Sequence, residues 1–337
     1  MKYLSTCFRM AFILAVLLAA ALPAQAQGEL HLIQVHSPSL EGNLNGDSAD
    51  RDVYIYLPEG YASSGRRYPV VYFLHGYGVG AKVYVDGVLR LPGSVDEAGI
   101  DDFILVMPDA FNKYSGSMYS NSPAVGDWES WIADDLVGYI DSHYRTLAAR
   151  ESRGLGGHSM GGYGTLRIGM KRSEVFGALY AMSSCCLLNN APDMERVATQ
   201  QARMAEGIEF YKPGSFDNSL QAQAAAWAPN PGNPPYYFDL PYVDGVEQPL
   251  VAAKWTANSP LIFVDQYVPA LAQYRAIALD VGDEDGLAAT NTQLDAALTR
   301  LGIKHSYEIY AGNHGNRVGQ RFIDNVLPFF AEHLALQ

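Results

Sequence analysis

The sequence predicts an α/β fold, in which a mostly parallel central sheet carries helices on both faces. Continuous apolar runs such as Val70 to Leu74 and Phe103 to Met107 are typical of parallel strands that are buried on both faces. They alternate with stretches of helical spacing, of which Trp128 to Tyr144 is the clearest, with Asp127 as its candidate N-cap. In such a sheet, catalytic side chains belong on the loops at the carboxyl ends of the strands.

Residues 1 to 26 are predicted to be a signal peptide that is removed on export. Two basic residues precede the apolar segment Met10 to Leu22, and Ala24 to Ala26 supplies the small residues of a cleavage site. The apolar segment is short for a membrane span, and no second run approaches its length. We therefore expect an exported protein, periplasmic or extracellular, that has no stable membrane span after cleavage and forms one catalytic domain over residues 27 to 337.

The mature chain is acidic and contains only two cysteines. Loss of the leader leaves 21 Lys and Arg against 36 Asp and Glu, a net charge of −15. A surface of this charge repels nucleic acid and anionic membranes and argues against phosphorylated polymers as substrates. Cys185 and Cys186 form no disulfide scaffold; they are either two thiols, which we favour, or a strained vicinal disulfide. The oligomeric state stays open.

The same patterns predict the remaining elements. Further strands are predicted at Glu29 to His36, Arg51 to Leu57, Arg153 to Gly157, Val175 to Met182, Arg275 to Val281 and Ser306 to Tyr310. Further helices are predicted at Tyr163 to Arg172, Leu287 to Leu301 and Phe322 to Leu334. Between about residues 187 and 259 the alternation stops and the chain is rich in Ala, Gln and Pro, which indicates a lid inserted between two core strands.

The segment Gly157-His158-Ser159-Met160-Gly161 matches the Gly-x-Ser-x-Gly pattern of a nucleophile elbow. A predicted strand precedes it and a predicted helix follows it, as this turn requires, and only glycine fits two positions before and after the serine. The turn lifts the hydroxyl of Ser159 clear of its neighbours and places the N–H of Met160 at a helix N-terminus, where an oxyanion is stabilised. Ser159 is therefore the candidate nucleophile and Met160 a candidate oxyanion donor.

A serine nucleophile needs a histidine base and an acid that orients it, in the chain order serine, acid, histidine. His314 is the predicted base because it lies in a Gly- and Asn-containing loop directly after a strand, whereas His305 begins a strand and His333 ends a helix. Asp285 is the predicted acid, since it lies on the loop that follows the preceding strand. Asp283, on the same loop, remains the alternative.

The second oxyanion donor is expected from the loop after the strand Val70 to Leu74. The N–H of Tyr77, within His75-Gly76-Tyr77-Gly78, is in place for this role. His75 and His158 are interpreted as packing and hydrogen-bonding residues beside the site.

Substrate-facing positions are less sharply defined by the sequence. Trp128 and Glu129, at the start of the predicted helix, either line the cleft or belong to the core. Tyr237, in the aromatic cluster of the lid, either contributes to an acyl or aryl pocket or holds the lid against the body. The polar loop Phe111 to Ser122 either receives an alcohol or sugar leaving group as a mobile loop or is an ordinary solvated loop.

Taken together, these motifs resemble the "putative esterase" family of α/β-hydrolases, which includes esterase D, feruloyl and acetyl-xylan esterases, and mycolyltransferases. The resemblance implies the α/β-hydrolase fold, a Ser-His-Asp triad, and no metal or organic cofactor. In the mycolyltransferase branch the acid is a glutamate, whereas the best-placed acid here is Asp285. The matching residues are Phe73 to Gly76, Asp127 to Glu129, Asp135-Leu136, Gly157 to Gly162, Gly282 with Asp285, and Gly312 to His314.

The predicted function is that of an exported serine carboxylic-ester hydrolase that forms an acyl-enzyme on Ser159. Its substrate would be a small-molecule, carbohydrate or lipid ester, with the acyl and alcohol groups left open. An acyltransferase of the mycolyltransferase type, which passes the same acyl group to a sugar or lipid hydroxyl, is the alternative. A binding protein without catalytic activity on the same fold is the third hypothesis.

Overall fold

The computed structural model describes residues 28–100, 102–189, 194–206 and 218–336. The predicted signal peptide lies outside the described residues. Within these ranges, no helix combines the length and the apolar character that crossing a bilayer requires.

Eight strands form the central sheet. In chain order they are β1 (Glu29–His36), β2 (Asp50–Leu57), β3 (Val70–Leu74), β4 (Ile104–Pro108), β5 (Arg153–His158), β6 (Ala178–Met182), β7 (Ala276–Gly282) and β8 (Ser306–Tyr310). Their order across the sheet is β1-β2-β4-β3-β5-β6-β7-β8. Strands β3 to β8 are parallel, while β2 is antiparallel to both β1 and β4. The mostly parallel sheet predicted from the sequence is confirmed.

Alternate residues of the central strands pack on opposite faces of the sheet. In β3, Val70, Tyr72 and Leu74 enter one buried core, and Val71 and Phe73 enter the other. This is why the strand appears in the sequence as an unbroken apolar run. The observed strand bounds differ from the predicted ones by at most three residues, the largest difference being at the start of β6. There Val175 donates its N–H to the carbonyl of Arg172 and belongs to a turn.

Helices cover both faces of the sheet, as predicted. The longer α-helices, in chain order, are α1 (Gly93–Ala98), α2 (Val137–His143), α3 (Met160–Lys171), α4 (Met194–Ala205), α5 (Ser219–Trp227), α6 (Pro249–Ala257), α7 (Ala288–Arg300) and α8 (Leu327–His333). One core includes the segments Trp128–Ser130 and Trp131–Leu136, together with α2, α3 and α7. The opposite core includes α1 and the segments Val318–Arg321, Phe322–Val326 and α8 (Leu327–His333). Asp127 is the N-cap of the helical segment that begins at Trp128, since its Oδ1 accepts the N–H of Ser130 at 3.0 Å.

The predicted insertion, about residues 187 to 259, lies between β6 and β7. Its described elements are α4 (Met194–Ala205), α5 (Ser219–Trp227), the two-residue strands Tyr242–Val243 and Val246–Glu247, and α6 (Pro249–Ala257). The insertion packs on the loop that follows β4: Trp227 donates its Nε1–H to Ser120 Oγ at 3.3 Å. Ser115, Ser117 and Ser120 of that loop are fully buried. The interpretation of this segment as an ordinary solvated loop is therefore wrong, while its role in receiving an alcohol or sugar leaving group stays a prediction.

Candidate active site

Ser159 lies on a tight turn between β5 and α3. Its backbone angles, φ 59° and ψ −114°, fall in a region that residues with side chains rarely adopt, so the turn stores strain at this position. The neighbouring glycines make the turn sterically feasible. A Cβ on Gly161 would overlap the carbonyl oxygen of Leu74, and a Cβ on Gly157 would overlap the carbonyl of Gly161. The local sequence is therefore the one that this elbow requires.

The structure brings the side chains of Ser159, His314 and Asp285 into one hydrogen-bonded chain. His314 Nε2 lies 2.9 Å from Ser159 Oγ, and His314 Nδ1 lies 2.8 Å from Asp285 Oδ2. Asp285 follows β7 and His314 follows the adjacent strand β8, so the parallel sheet places both loops at the same edge as the elbow. The Asp285 side chain is only 2% exposed, whereas that of His314 is 37% exposed.

Asp285 is held as a carboxylate by its surroundings. Burial alone would raise its pKa, but the hydrogen bonds from His314 and from the N–H of Leu287, at 2.9 Å, lower the pKa below its ordinary value. An ionised carboxylate at this position can fix the tautomer of His314 and stabilise the imidazolium that forms when the base takes a proton.

Asp283, the alternative acid, has a different set of contacts. Its Oδ1 accepts the N–H of Gly312 at 2.9 Å, and its own N–H donates to the carbonyl of Tyr310 at 2.8 Å. These bonds tie the loop after β7 to the loop after β8. Asp283 therefore braces the loop that carries His314, while Asp285 contacts the imidazole itself.

The loop after β3 lies against the nucleophile. A Cβ on Gly76 would come within 3.4 Å of Ser159 Cβ, so Gly76 lies beside the nucleophile residue. His75 donates Nδ1–H to the carbonyl of Gly76 at 2.8 Å, while its Nε2 accepts the N–H of Ala110 at 2.8 Å. Because the carbonyl and the N–H of a trans peptide point in opposite directions, this contact also fixes the direction of the Tyr77 N–H. Burial lowers the pKa of His75, which keeps the imidazole neutral.

Met160, the other predicted donor, is the first residue of α3. Its thioether and the ring of Tyr77 both pack on Gly116, where a Cβ would lie 2.7 Å from Met160 Sδ and 2.6 Å from Tyr77 Cδ2. The two residues that carry the predicted oxyanion donors are thus neighbours in space. Tyr77 is further held by its hydroxyl, which donates to the carbonyl of Tyr114 at 2.7 Å.

Trp128 and Glu129 lie in the protein interior. Trp128 is fully buried and donates its indole N–H to the carbonyl of Val125 at 2.8 Å. Glu129 accepts hydrogen bonds from Arg167 at 2.7 Å and from Lys171 at 2.9 Å, both on α3. Burial would raise the pKa of Glu129, but the two cations lower it. Both side chains have structural partners, so we do not retain them as substrate-lining residues.

Tyr237 lies in the insertion and is half-buried at a positive φ of 58°. Its N–H donates to the carbonyl of Asn233 at 2.7 Å, and its carbonyl accepts the N–H of Asn230 at 2.8 Å. These bonds shape the Pro-rich turn of the insertion, and a role of the Tyr237 ring in substrate binding stays a prediction.

Cys185 and Cys186, just after β6, are free thiols in the structure, with their sulfur atoms 2.7 Å apart. The hydrogen bond with Cys186 and burial raise the pKa of Cys185 well above its ordinary value. The N–H of Cys185 donates to the carbonyl of Ser159 at 3.2 Å, so the two cysteines lie next to the elbow turn. Among the described residues, no three His, Cys, Asp or Glu side chains are grouped so as to hold a metal ion.

A sheet in this strand order, with a serine on the elbow after β5 and an aspartate and a histidine on the loops after β7 and β8, defines an α/β-hydrolase. The model of the "Putative esterase" family matches residues 48–324, and the chain belongs to this family.

Bacterial esterases are similar to part of the sequence. An esterase from Mycobacterium tuberculosis is 36% identical over 123 residues, which are 35% of this chain and 26% of the relative. An endo-1,4-beta-xylanase/feruloyl esterase from Xylanibacter ruminicola is 32% identical over 131 residues, which are 36% of this chain and 18% of the relative. The chain therefore matches only 26% and 18% of the length of these two relatives. A ferulic acid esterase structure superposes with a TM-score of 0.65 and 20% identity, covering 91% of this chain and 100% of that one, which shows the shared fold.

Proposed function

We propose that the protein is an exported serine carboxylic-ester hydrolase that works through an acyl-enzyme on Ser159. The observation that carries the proposal is the hydrogen-bonded chain from Ser159 Oγ through His314 to Asp285. In this arrangement His314 Nε2 removes the hydroxyl proton as Oγ attacks the ester carbonyl, and then donates that proton to the departing alcohol. Asp285 stays ionised and supports the imidazolium while it exists.

The oxyanion that forms on the carbonyl oxygen would be held by the N–H groups of Tyr77 and Met160. Backbone donors that are fixed before the reaction pay no reorganisation cost at the transition state, and one such donor contributes about 3 kcal/mol. The contact of His75 with the carbonyl of Gly76 supports this assignment, because it fixes the peptide that carries the Tyr77 N–H.

Water is the proposed acceptor of the acyl group. The His314 side chain is 37% exposed, so solvent reaches the base that must activate the second nucleophile. Deacylation by water then releases the acid and restores Ser159. This exposure favours hydrolysis over transfer to a second alcohol, for which the acceptor must exclude water from the acyl-enzyme.

The proposed substrate is an uncharged or weakly charged ester of the kind that the family processes. The acidic mature chain, with a net charge of −15, disfavours phosphorylated and other anionic polymers. The feruloyl esterase named among the relatives makes aryl esters of plant carbohydrate a reasonable first choice to assay. Export is proposed from the leader sequence of residues 1 to 26.

The test is the Ser159→Ala variant with p-nitrophenyl acetate and methyl ferulate as substrates. We expect ester turnover to fall to the level of the uncatalysed reaction, while the melting temperature stays close to that of the wild type. Ser142→Ala, on the exposed side of α2, is the matched control and should keep full activity. Substantial turnover by the Ser159→Ala protein would refute the proposed nucleophile.

A further inference from the structure

His158, the residue before the candidate nucleophile, makes two directed hydrogen bonds in the protein interior. Its Nε2 lies 2.8 Å from the carbonyl oxygen of His314, and its Nδ1 lies 2.6 Å from the hydroxyl of Tyr84. The imidazole is 5% exposed, and so is Tyr84. A buried imidazole with both nitrogens engaged has a fixed orientation.

The two partners determine which nitrogen of His158 carries the proton. A carbonyl oxygen only accepts, so Nε2 must be the donor toward His314. Nδ1 then carries the lone pair and accepts the hydroxyl hydrogen of Tyr84. Burial, with a smaller effect of His314 nearby, lowers the pKa of His158 to about 3, so the ring stays neutral at the pH where an esterase would work.

The hydrogen bond from His158 holds the main chain of His314, the candidate base. The loop that carries His314 is also held by hydrogen bonds within itself. Asn313 Oδ1 accepts the N–H groups of Gly315 and Asn316, each at 3.1 Å. The imidazole of His314 is more than a third exposed. Its loop is tied to the elbow by His158, the residue next to Ser159.

Two consecutive residues therefore hold the base from two sides. Ser159 contacts the His314 ring at 2.9 Å, and His158 contacts the His314 carbonyl at 2.8 Å. The two imidazoles lie with centroids 4.8 Å apart. A neutral ring at this distance leaves the transient imidazolium of His314 without a competing positive charge.

We propose that His158 is a positioning residue, which holds the His314 main chain through its Nε2–H and is itself oriented by Tyr84. The inference rests on the proposed function, since it assigns a role in that reaction. The positioning matters while Ser159 Oγ passes its proton to His314 Nε2, because these two atoms must then stay within hydrogen-bond distance. It gives Tyr84 the role of donating to Nδ1 and so holding the orientation of the His158 ring.

The test compares His158→Leu, which removes both hydrogen bonds, with His158→Gln, whose amide can still donate near the Nε2 position. For His158→Leu we expect kcat to fall by about 10- to 100-fold, with KM within about twofold of wild type, because small misplacements of a catalytic group have effects of this size. His158→Gln should recover most of the loss. Tyr84→Phe, a milder change, should lower kcat by about fivefold.

A spectroscopic readout separates positioning from a loss of general stability. The proton between His314 Nδ1 and Asp285 should give a low-field resonance in the wild type and in His158→Gln, and the resonance should broaden or vanish in His158→Leu. His305→Leu is the matched control, because this buried imidazole bonds to Ile303 and Asp295 away from the elbow. It should lower the melting temperature and leave kcat unchanged.

Each outcome decides one point. Wild-type kcat in His158→Leu, or an equal loss in His158→Leu and His158→Gln with the resonance intact in both, would overturn the positioning role. If Ser159→Ala also retained activity, the proposed function itself would fail. If Ser159→Ala is inactive and His158→Leu is normal, only the present inference fails.

Discussion

Ser159 Oγ and His314 Nε2 lie 2.9 Å apart although 155 residues separate them in the chain. The parallel sheet produces this contact, because β5, β7 and β8 end at the same edge and their following loops converge there. The elbow turns the serine outward, the loop after β8 carries the histidine, and the loop after β7 carries Asp285 between them. The loops supply the three side chains of the candidate triad, and the sheet fixes the distances between those loops.

The first prediction separates the two candidate acids. Asp285→Asn should lower kcat by at least about 10³-fold, because a neutral amide neither fixes the tautomer of His314 nor stabilises its imidazolium. Asp283→Asn keeps an oxygen that can accept the Gly312 N–H, so its kcat should stay within about threefold of wild type. Steady-state kinetics on both variants, with melting temperatures as the control, decide the matter. The reverse ranking would make Asp283 the acid.

A second prediction concerns Glu129. Glu129→Gln leaves the buried Arg167 without its anionic partner, so the free energy of unfolding should fall by about 3 kcal/mol. The KM of the folded variant should be unchanged, because Glu129 faces the interior. Urea unfolding and ester kinetics measure the two effects. A raised KM with unchanged stability would return Glu129 to the substrate cleft.

The matched control for that experiment is Glu174→Gln. Glu174 pairs with Arg172 at 2.8 Å, but its side chain is 63% exposed. A surface pair of this kind should contribute less than about 0.5 kcal/mol to the free energy of unfolding.

A third prediction tests the steric account of the elbow. Gly161→Ala should lower the free energy of unfolding by more than about 3 kcal/mol, because the added methyl group meets the Leu74 carbonyl oxygen, which belongs to the sheet and cannot move aside. Gly138→Ala, in α2, meets nothing within 4 Å and should stabilise the protein by up to about 1 kcal/mol. Equal effects of the two substitutions would contradict the account.

The fourth prediction concerns acid stability. The folded-state pKa of His158, about 3, lies below the ordinary value of 6.5, so the unfolded chain binds a proton in this interval that the folded protein does not. Stability from this group is complete above pH 6.5 and is lost as the pH falls toward 3, by about 1.4 kcal/mol per pH unit. His158→Gln has no such titration, and its unfolding free energy should therefore fall less steeply between pH 6.5 and 4.5. Parallel slopes for the two proteins would show that His158 is protonated in the fold.

The strands and the residues of the candidate triad follow from local sequence. Residues such as Val70 to Leu74 are buried on both faces, which leaves an apolar run that needs no tertiary information to recognise. Ser159, His314 and Asp285 are recognisable because each has a characteristic position just after a strand. Their mutual contact depends on the strand order of the sheet, which local sequence patterns do not show.

Other features depend on contacts between distant segments and left no local signal. Helical spacing does not say whether Trp128 and Glu129 face the cleft or the core, and the partners of Glu129 come from α3. The loop after β4 looks solvated because it is polar, yet most of its residues are buried. Nothing local distinguishes Tyr84, whose role depends on meeting His158 across 74 residues of chain.

The most direct test of the central claim is to locate the covalent adduct formed by a fluorophosphonate probe. We predict stoichiometric labelling of the peptide that contains Ser159, with loss of ester hydrolysis at the same rate, and no labelling of the His314→Ala variant on that time scale. Full inactivation with the adduct on another residue, or an active enzyme that carries the adduct on Ser159, would contradict the assignment of this serine as the nucleophile.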